Sequence, residues 1–241
     1  METPGAVLFD AFGTLLTTEG IQPASVATGA EFFQMVGLPP AERPAALPAI
    51  RQGHTRALAE LRARSYYLHR DLFAMGWYYA AELLSRPITR AEADGLSDRQ
   101  WERVFAGSRL REGAAETLSE LRARGFHVGV VSNSDEDQLE RMLEIGALRA
   151  YLDSSLCSET ARSCKPDPAI FRQALGRADC LPSEAVFVGD TPWDDVGGAA
   201  AVGMRTVLIQ GGAPLPNQDA PANVPSDYVI QELPELLTIL A

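Results

Sequence analysis

The apolar run Val7-Leu8-Phe9 ends at a carboxylate, Asp10, and a tight Gly13-Thr14 turn follows it. A short apolar run bounded by turn residues predicts a buried β-strand. In open α/β sheets, ligands bind outside the carboxyl ends of the strands. A carboxylate at such an end stands where chemistry takes place, so Asp10 is the first candidate functional residue of the chain.

Strand and helix patterns alternate from Glu112 onward. Apolar runs predict strands at 128–131, 152–155, 185–188, 206–209 and 228–230. Helical spacing predicts helices at 114–124, 137–145 and 167–175. One more helix follows Asp190 and ends at 202, and a terminal helix follows the last strand. Repeated alternation of this kind predicts an α/β fold with a doubly wound, Rossmann-like parallel sheet and right-handed crossovers. Residues 211–225, rich in Gly, Pro and Asn, predict a surface loop.

A helical block separates the first strand from the others. Between residues 19 and 105 no convincing strand pattern occurs, and apolar residues recur at helical spacing. Prolines divide this block into several helices: Pro39, Pro40, Pro44, Pro48 and Pro87. Because the first strand precedes the block and the other strands follow it, the block is an insertion. The predicted organisation is a core domain of residues 1–16 and 107–241 with an inserted α-helical domain of residues 17–106.

The net charge of -11 and the pI of about 4.8 limit the partners of the chain. An acidic protein repels nucleic-acid phosphates and anionic membrane surfaces, so we expect neither as a partner. An anionic small-molecule substrate is compatible with this charge if a metal, a lysine or helix N-termini provide a local positive site. A monomer and a homodimer both fit the sequence.

Three cysteines bear on the cellular compartment: Cys157, Cys164 and Cys180. Their odd number and irregular spacing argue against a disulfide framework and indicate a reducing environment. No apolar run reaches the ~20 residues of a membrane span. The first strand also begins too early to leave room for a secretory signal. These features together predict a cytoplasmic protein.

Polar residues form four groups along the predicted core. They are Asp10 with Thr14, Ser132 with Asn133, Lys165, and Asp190 with Asp194 and Asp195. In this order the groups resemble the four motifs of the haloacid dehalogenase-like (HAD) hydrolase superfamily, here at 9–15 (FDAFGTL), 131–133 (VSN), 165–168 (KPDP) and 188–199 (starting VGD). The resemblance covers the whole chain and implies that residues 17–106 form a helical cap domain.

The types of side chain in these groups suit a displacement reaction. A carboxylate nucleophile divides a difficult displacement into two easier steps, and this is the role predicted for Asp10. Ser132 and Asn133 can donate hydrogen bonds to a substrate oxyanion, although a Ser-Asn pair after a strand is also typical of a turn or a helix N-cap. Lys165 supplies a positive charge near the reacting group. Thr14 is the remaining predicted substrate-binding residue of the core.

Converging carboxylates predict a cation. Asp10, Asp190 and at least one of Asp194 and Asp195 would repel one another unless a cation lay between them. Mg²⁺ is a hard dication that takes carboxylates and waters and bridges to substrate oxygens. The resemblance assigns Asp10, the backbone carbonyl of Phe12 and Asp190 to this metal, and Asp195, as the second acid of the fourth motif, is the further predicted metal residue. Helix capping explains Asp194 and Asp195 equally well.

Phe12 departs from the phosphatase pattern of the superfamily, in which an aspartate at this place protonates the leaving oxygen. General acid catalysis is typically worth ~10²–10⁴-fold. An alkyl phosphatase with Phe12 is therefore predicted to be slow unless His54, His69 or a metal-bound water replaces the acid. Halide leaving groups need no proton, and the 2-haloacid dehalogenase branch carries an aromatic residue at this place.

Other positions divide between the two branches. Arg51 resembles the arginine region with which the dehalogenase branch binds the substrate carboxylate. That branch has a Ser at the place of Asp190, an Asn at the place of Pro192 and a Tyr at the place of Phe171. The first hypothesis is therefore a Mg²⁺-dependent phosphatase that acts on a small phosphate monoester through an aspartyl-phosphate on Asp10. The alternatives are a metal-independent 2-haloacid dehalogenase and a binding or regulatory protein with little turnover.

Overall fold

The computed structural model describes residues 5–210 and 224–241, which contain a six-stranded, all-parallel sheet. The strands lie in the order β3-β2-β1-β4-β5-β6. They are β1 (Ala6–Phe9), β2 (His127–Ser132), β3 (Ser154–Cys157), β4 (Ala185–Gly189), β5 (Arg205–Ile209) and β6 (Tyr228–Ile230). The sheet confirms the predicted α/β class. The predicted loop at 211–225 lies almost entirely outside the described residues.

Strand β1 is central in the sheet. Ala6 is in register with His127 of β2 on one side and with Ala185 of β4 on the other. All four residues of β1 are 0% exposed, as expected for a parallel strand that is covered on both faces. The chain continues to one side of β1 with β2 and β3, and to the other side with β4, β5 and β6. Asp10 therefore follows the strand at which the sheet order reverses, the usual ligand position of such sheets.

Within its described residues the chain forms two compact units. The helical unit comprises residues 19–108, and the core unit comprises residues 5–18, 109–210 and 224–241. The helices of the helical unit are α1 (Ile21–Met35), α2 (Arg43–Arg62), α3 (His69–Leu83) and α4 (Arg90–Gly107). Helices α2 and α3 approach closely at Gly53, because glycine has no Cβ. A Cβ at this position would lie only 2.4 Å from the Gly76 carbonyl oxygen.

Helices cover the sheet of the core unit. They are α5 (Ala114–Ala123), α6 (Glu136–Glu144), α7 (Ser158–Ala161), α8 (Pro168–Ala178), α9 (Gly198–Ala201) and α10 (Leu236–Ile239). Most boundaries lie within three residues of the predicted ones. The segment after β4 differs, because a π-helical turn at Pro192–Gly197 precedes α9. In this turn the Thr191 carbonyl accepts hydrogen bonds from the backbone N–H groups of both Asp195 (3.0 Å) and Val196 (3.3 Å). In the described residues, every helix is too short or too polar to cross a membrane.

Candidate active site

Asp10 directly follows β1, where its backbone N–H donates to the Val188 carbonyl at 2.9 Å. This bond continues the pairing between β1 and β4, so the strand register fixes where the Asp10 side chain begins. The Asp10 side chain is 11% exposed. The carboxylate is thus held at the carboxyl edge of the sheet but remains partly accessible.

Lys165 joins two carboxylates. Its Nζ lies 2.5 Å from Asp10 Oδ1 and 2.6 Å from Asp195 Oδ1, and its side chain is 2% exposed. Lys165 is also the only lysine in the chain, since the remaining basic side chains are arginines and histidines. An ammonium group binds here as a compact point charge, in contrast to the planar fork of arginine. Lys165 therefore fixes one oxygen of Asp10 and leaves Oδ2 free of that ion pair.

Asn133 binds the backbone of Lys165. Its Oδ1 accepts from the Lys165 backbone N–H at 2.7 Å, and its Nδ2 donates to the Lys165 carbonyl at 3.0 Å. Lys165 lies between α7 and α8, and no local sequence pattern predicts that Asn133 reaches it. The Asn133 amide thus contacts protein backbone with both of its polar atoms, whereas the sequence suggested a substrate ligand.

Two further predicted residues are buried at the same edge of the sheet. Ser132 ends β2 and is 3% exposed, with its Oγ 3.9 Å from the Met142 sulfur. Thr14 lies in the turn after Asp10, and its buried hydroxyl has no hydrogen-bond partner among the described residues. Buried hydroxyls are usually hydrogen-bonded. The Thr14 hydroxyl is therefore a polar group with unused bonding capacity near the candidate nucleophile.

Asp190 packs against the turn that contains Phe12 and Gly13. Gly13 has a φ of +84°, and a Cβ at this position would lie 2.1 Å from Asp190 Oδ2. Only glycine allows both this backbone conformation and this approach. The sequence motif thus has a steric cause, since the Gly13 turn makes room for the Asp190 carboxylate.

The fourth motif brings Asp195 into the site. Asp195 is 1% exposed, and its Oδ2 accepts from the Thr191 backbone N–H at 3.0 Å. Asp10, Asp190 and Asp195 each offer a carboxylate oxygen within 4.8 Å of the others. Asp194 lies on the same π-helical turn but is partly exposed and outside this cluster. The π-helical turn therefore brings Asp195 and not Asp194 into the cluster, as the family resemblance implied, whereas the two side chains by themselves could not be separated.

Burial and like charges perturb the titration of this cluster. Burial raises the pKa of Asp10 to about 7, against the lowering effect of Lys165. Burial, together with the charges of Asp10 and Asp195, raises the pKa of Asp190 to about 8. Burial by itself lowers the pKa of Lys165, but the two carboxylates outweigh it and hold that pKa above its usual value.

This set of groups fits a divalent cation. Three carboxylates and one ammonium carry a net charge of -2 when all are ionised, which a dication neutralises. Oxygen donors suit Mg²⁺ or another hard cation. Since both oxygens of Asp195 are already hydrogen-bonded, Asp10 and Asp190 are the better direct ligands. The backbone carbonyl of Phe12 belongs to the turn that follows Asp10 and against which Asp190 packs.

Arg111 is a neighbour of the site that the sequence did not indicate. Its guanidinium donates to the Gly13 carbonyl and, at 3.4 Å, to the Gln210 carbonyl. Burial lowers the pKa of Arg111, and the negative charge of Asp190 opposes this effect. Arg111 thus ties the turn of the first motif to the end of β5. No local pattern marked it, because its partners are far away in sequence.

The structure also shows the surroundings of Phe171, Arg51 and His54. Phe171 is fully buried in the core, with its ring centroid 5.1 Å from that of Phe187 in an edge-on contact. Arg51 lies on α2 of the helical unit with its side chain exposed. His54, also on α2, packs edge-on against Trp77 at 5.1 Å, and its Nδ1 is 2.9 Å from the Ile50 carbonyl oxygen.

The fold and the carboxylate-lysine cluster define a hydrolase with an α/β core. Residues 4–203 match the model of a protein family described as haloacid dehalogenase-like hydrolases. The chain belongs to this family, and the resemblance drawn from its four motifs is confirmed.

The relatives of the chain include both phosphatases and 2-haloacid dehalogenases. The haloacid dehalogenase-like hydrolase domain-containing protein 3 of Mus musculus is 42% identical over 129 residues, which cover 54% of this chain and 51% of the relative. The glyceraldehyde 3-phosphate phosphatase of Pyrococcus furiosus is 36% identical over 134 residues (54% and 55%). The (S)-2-haloacid dehalogenase 4A of Burkholderia cepacia is 29% identical over 242 residues (98% and 94%). The chain thus spans about half the length of the first two relatives.

Solved structures show the same division. A HAD phosphatase from Thermococcus onnurineus is 28% identical, with a TM-score of 0.66 over 98% of each chain. A dehalogenase with an intermediate complex is 27% identical, with a TM-score of 0.69 over 100% of this chain and 99% of the other. Family and fold are therefore established, and the relatives divide between two reactions.

Proposed function

We propose that this protein is a Mg²⁺-dependent phosphatase that acts on a small phosphate monoester through an aspartyl-phosphate on Asp10. The observation that carries the proposal is the cluster of three carboxylates around one lysine. A metal-independent displacement by Asp10 has no use for Asp190, whose burial beside two other carboxylates is unfavourable. A site that binds a dication uses Asp10 and Asp190 as ligands and Asp195 as a partner of Lys165.

The ion pair with Lys165 prepares Asp10 for attack. Lys165 holds Oδ1 at 2.5 Å, so that Oδ2 is the nucleophilic oxygen. This oxygen forms a bond to phosphorus while the bond from phosphorus to the ester oxygen breaks, and the electron pair leaves with that oxygen. Water then attacks the phosphorus of the aspartyl-phosphate, which releases inorganic phosphate and regenerates the Asp10 carboxylate.

The surrounding residues stabilise charge on the transferring group. Lys165 provides a fixed positive charge, and the Ser132 and Thr14 hydroxyls provide hydrogen bonds to phosphoryl oxygens. The unused capacity of the buried Thr14 hydroxyl supports this assignment. Bound Mg²⁺, held by Asp10, Asp190 and the Phe12 carbonyl, would supply Lewis-acid stabilisation of the phosphoryl oxygens.

The test is hydrolysis of p-nitrophenyl phosphate with and without Mg²⁺. We expect phosphate release that stops on addition of EDTA and returns with excess Mg²⁺, and that is lost in Asp10→Asn and Asp190→Asn. The matched control is Asp194→Asn, a neighbouring carboxylate outside the cluster, which should retain activity. Phosphate release that survives EDTA would contradict the metal-dependent reaction.

A second candidate is a 2-haloacid dehalogenase. Phe12 favours it because a halide leaves without a proton, and the dehalogenase from Burkholderia cepacia is related over nearly the whole chain. Here Asp10 would attack the α-carbon, the carbon-halogen bond would break, and halide would leave with the electron pair. Water would then hydrolyse the Asp10 ester to a 2-hydroxy acid, with Arg51 as the partner of the substrate carboxylate.

Chloride release from 2-chloropropionate tests this alternative. Release that is insensitive to EDTA and absent in Asp10→Asn would establish the dehalogenase and overturn the phosphatase if p-nitrophenyl phosphate is not hydrolysed. Silence with both substrates and with a broad panel of phosphate esters would favour the binding or regulatory protein.

A further inference from the structure

We infer that Asn133 is a positioning residue, whose side-chain amide holds the backbone of Lys165 and thereby places the Lys165 ammonium between Asp10 and Asp195. The inference deepens the proposed function, because the catalytic role of Lys165 rests on it. It also assigns to Asn133 a task other than substrate binding, which the motif by itself suggested.

Lys165 needs such a support because it lies outside regular secondary structure. It stands between α7 and α8, where no helix or strand provides partners for its backbone N–H and C=O. Buried backbone polar groups are almost always paired. Asn133 pairs both, accepting the N–H at 2.7 Å and donating to the carbonyl at 3.0 Å. Both bonds converge on one residue, and together they limit its translation and rotation.

Ser134, the residue after Asn133, is held in the same way, by one side chain that pairs with both its backbone N–H and its carbonyl. Ser158 Oγ accepts from the Ser134 backbone N–H at 3.1 Å and donates to the Ser134 carbonyl at 3.0 Å. The reason lies in the sheet, where Ser132 of β2 is in register with Cys157 of β3. The segments that leave these adjacent strand ends run side by side. Two side chains therefore fasten the second motif to the segment that carries Lys165.

The chemistry of the pair selects an amide. An Asn side chain offers one acceptor and two donors, which match the N–H and C=O of a single residue. A carboxylate at position 133 would accept from the N–H but would face the Lys165 carbonyl with a second acceptor. An aliphatic side chain would leave both backbone groups unpaired. A displacement of the ammonium would lengthen its contacts of 2.5 Å and 2.6 Å with Asp10 and Asp195.

The single lysine of the chain makes the inference directly measurable. Protein grown with ¹⁵N-lysine gives one backbone amide signal, which belongs to Lys165. We expect this amide to exchange slowly with solvent in the native protein, and to exchange at least about tenfold faster in Asn133→Ala, which removes the acceptor of its hydrogen bond. The matched control is Gln173→Ala, which removes an amide that donates to the Ala161 carbonyl at 2.8 Å without contact to Lys165. This control should leave the Lys165 signal and its exchange rate unchanged.

Kinetics with p-nitrophenyl phosphate give the second readout. A misplaced ammonium acts in the transition state, so kcat should fall by about 10²-fold with little change in KM. A rise in KM alone would identify Asn133 as a substrate ligand and overturn the inference. An unchanged exchange rate of the Lys165 amide in Asn133→Ala would also overturn it. A thermal melt of each variant separates these results from unfolding. Since the exchange measurement needs no turnover, it decides the inference even if the protein proves not to be a phosphatase.

Discussion

The Lys165 ammonium lies 2.6 Å from Oδ1 of Asp195, a side chain that is 1% exposed. Lys165, Asp195 and Asp10 form a buried network in which one cation pairs with two anions. Loss of the cation leaves the carboxylates uncompensated. We expect Lys165→Met to lower the free energy of unfolding by about 3–5 kcal/mol, as for other buried pairs that lose one partner.

Urea denaturation checks this value. The control is Arg141→Met, which removes an exposed contact to Glu144 at 3.8 Å and should change stability by less than about 0.5 kcal/mol. A Lys165→Met protein as stable as the native one would show that the carboxylates do not depend on this cation.

Gly13 and Asp190 give a steric prediction. In Gly13→Ala the new Cβ would lie 2.1 Å from Asp190 Oδ2 at a φ of +84°, so the turn must move. We expect a loss of stability of about 1–3 kcal/mol and a loss of metal-dependent activity. Gly176→Ala is the matched control, because nothing lies within 4 Å of its new Cβ in helix α8. That change should stabilise the protein by about 0.5–1 kcal/mol. Equal melting temperatures of the two variants would contradict the steric role of Gly13.

Addition of Mg²⁺ should stabilise the folded protein, because the cation relieves the repulsion among Asp10, Asp190 and Asp195. At 100 times the dissociation constant the gain is about 2.7 kcal/mol. Thermal unfolding with increasing Mg²⁺ measures it, and EDTA should reverse it. The shift should vanish in Asp190→Asn and persist in Asp194→Asn. A persistent shift in Asp190→Asn would place the cation elsewhere.

His54 gives the pH dependence of stability. Burial lowers the pKa of His54 below its ordinary value of 6.5. As the pH falls through about 6.5, the unfolded chain binds a proton that the folded protein does not, so the free energy of unfolding decreases. Above that pH this contribution to stability is fully present. Urea unfolding on either side of the ordinary histidine pKa measures the slope.

The variant His54→Phe should weaken this pH dependence, because a phenyl ring cannot take up the proton. The ring stands between Phe73 and Trp77, which suits an aromatic replacement. An unchanged slope in the variant would assign the pH dependence to other groups.

Phe12→Asp tests the missing proton donor. If the acid at this place limits turnover, the variant should hydrolyse alkyl phosphates about 10²–10⁴-fold faster than the native protein. Hydrolysis of p-nitrophenyl phosphate should change little, since its leaving group needs little protonation. Phe12→Leu controls for loss of the ring and should give no gain. A native protein that already hydrolyses both substrates at similar rates would show that another group supplies the proton.

Much of the fold followed from local patterns. Strand β1 is an unbroken apolar run because both of its faces are buried, and its end marks Asp10 without any knowledge of its neighbours. The same reasoning found Ser132 and Asp190, which directly follow or end buried strands. The π-helical turn after Asp190 was not predicted, because six residues are too few for apolar spacing to distinguish it from an α-helix.

The sequence by itself determined the α/β sheet, the family and the residues at the strand ends, since hydrophobic periodicity and turn chemistry act between neighbours in the chain. Only the tertiary structure decided that Asp195, and not Asp194, joins the cluster, and that Arg111 lies beside Asp190. It also decided that Asn133 holds Lys165 across 32 residues of sequence. Such contacts depend on how separate segments meet at one edge of the sheet, and no local pattern encodes that meeting.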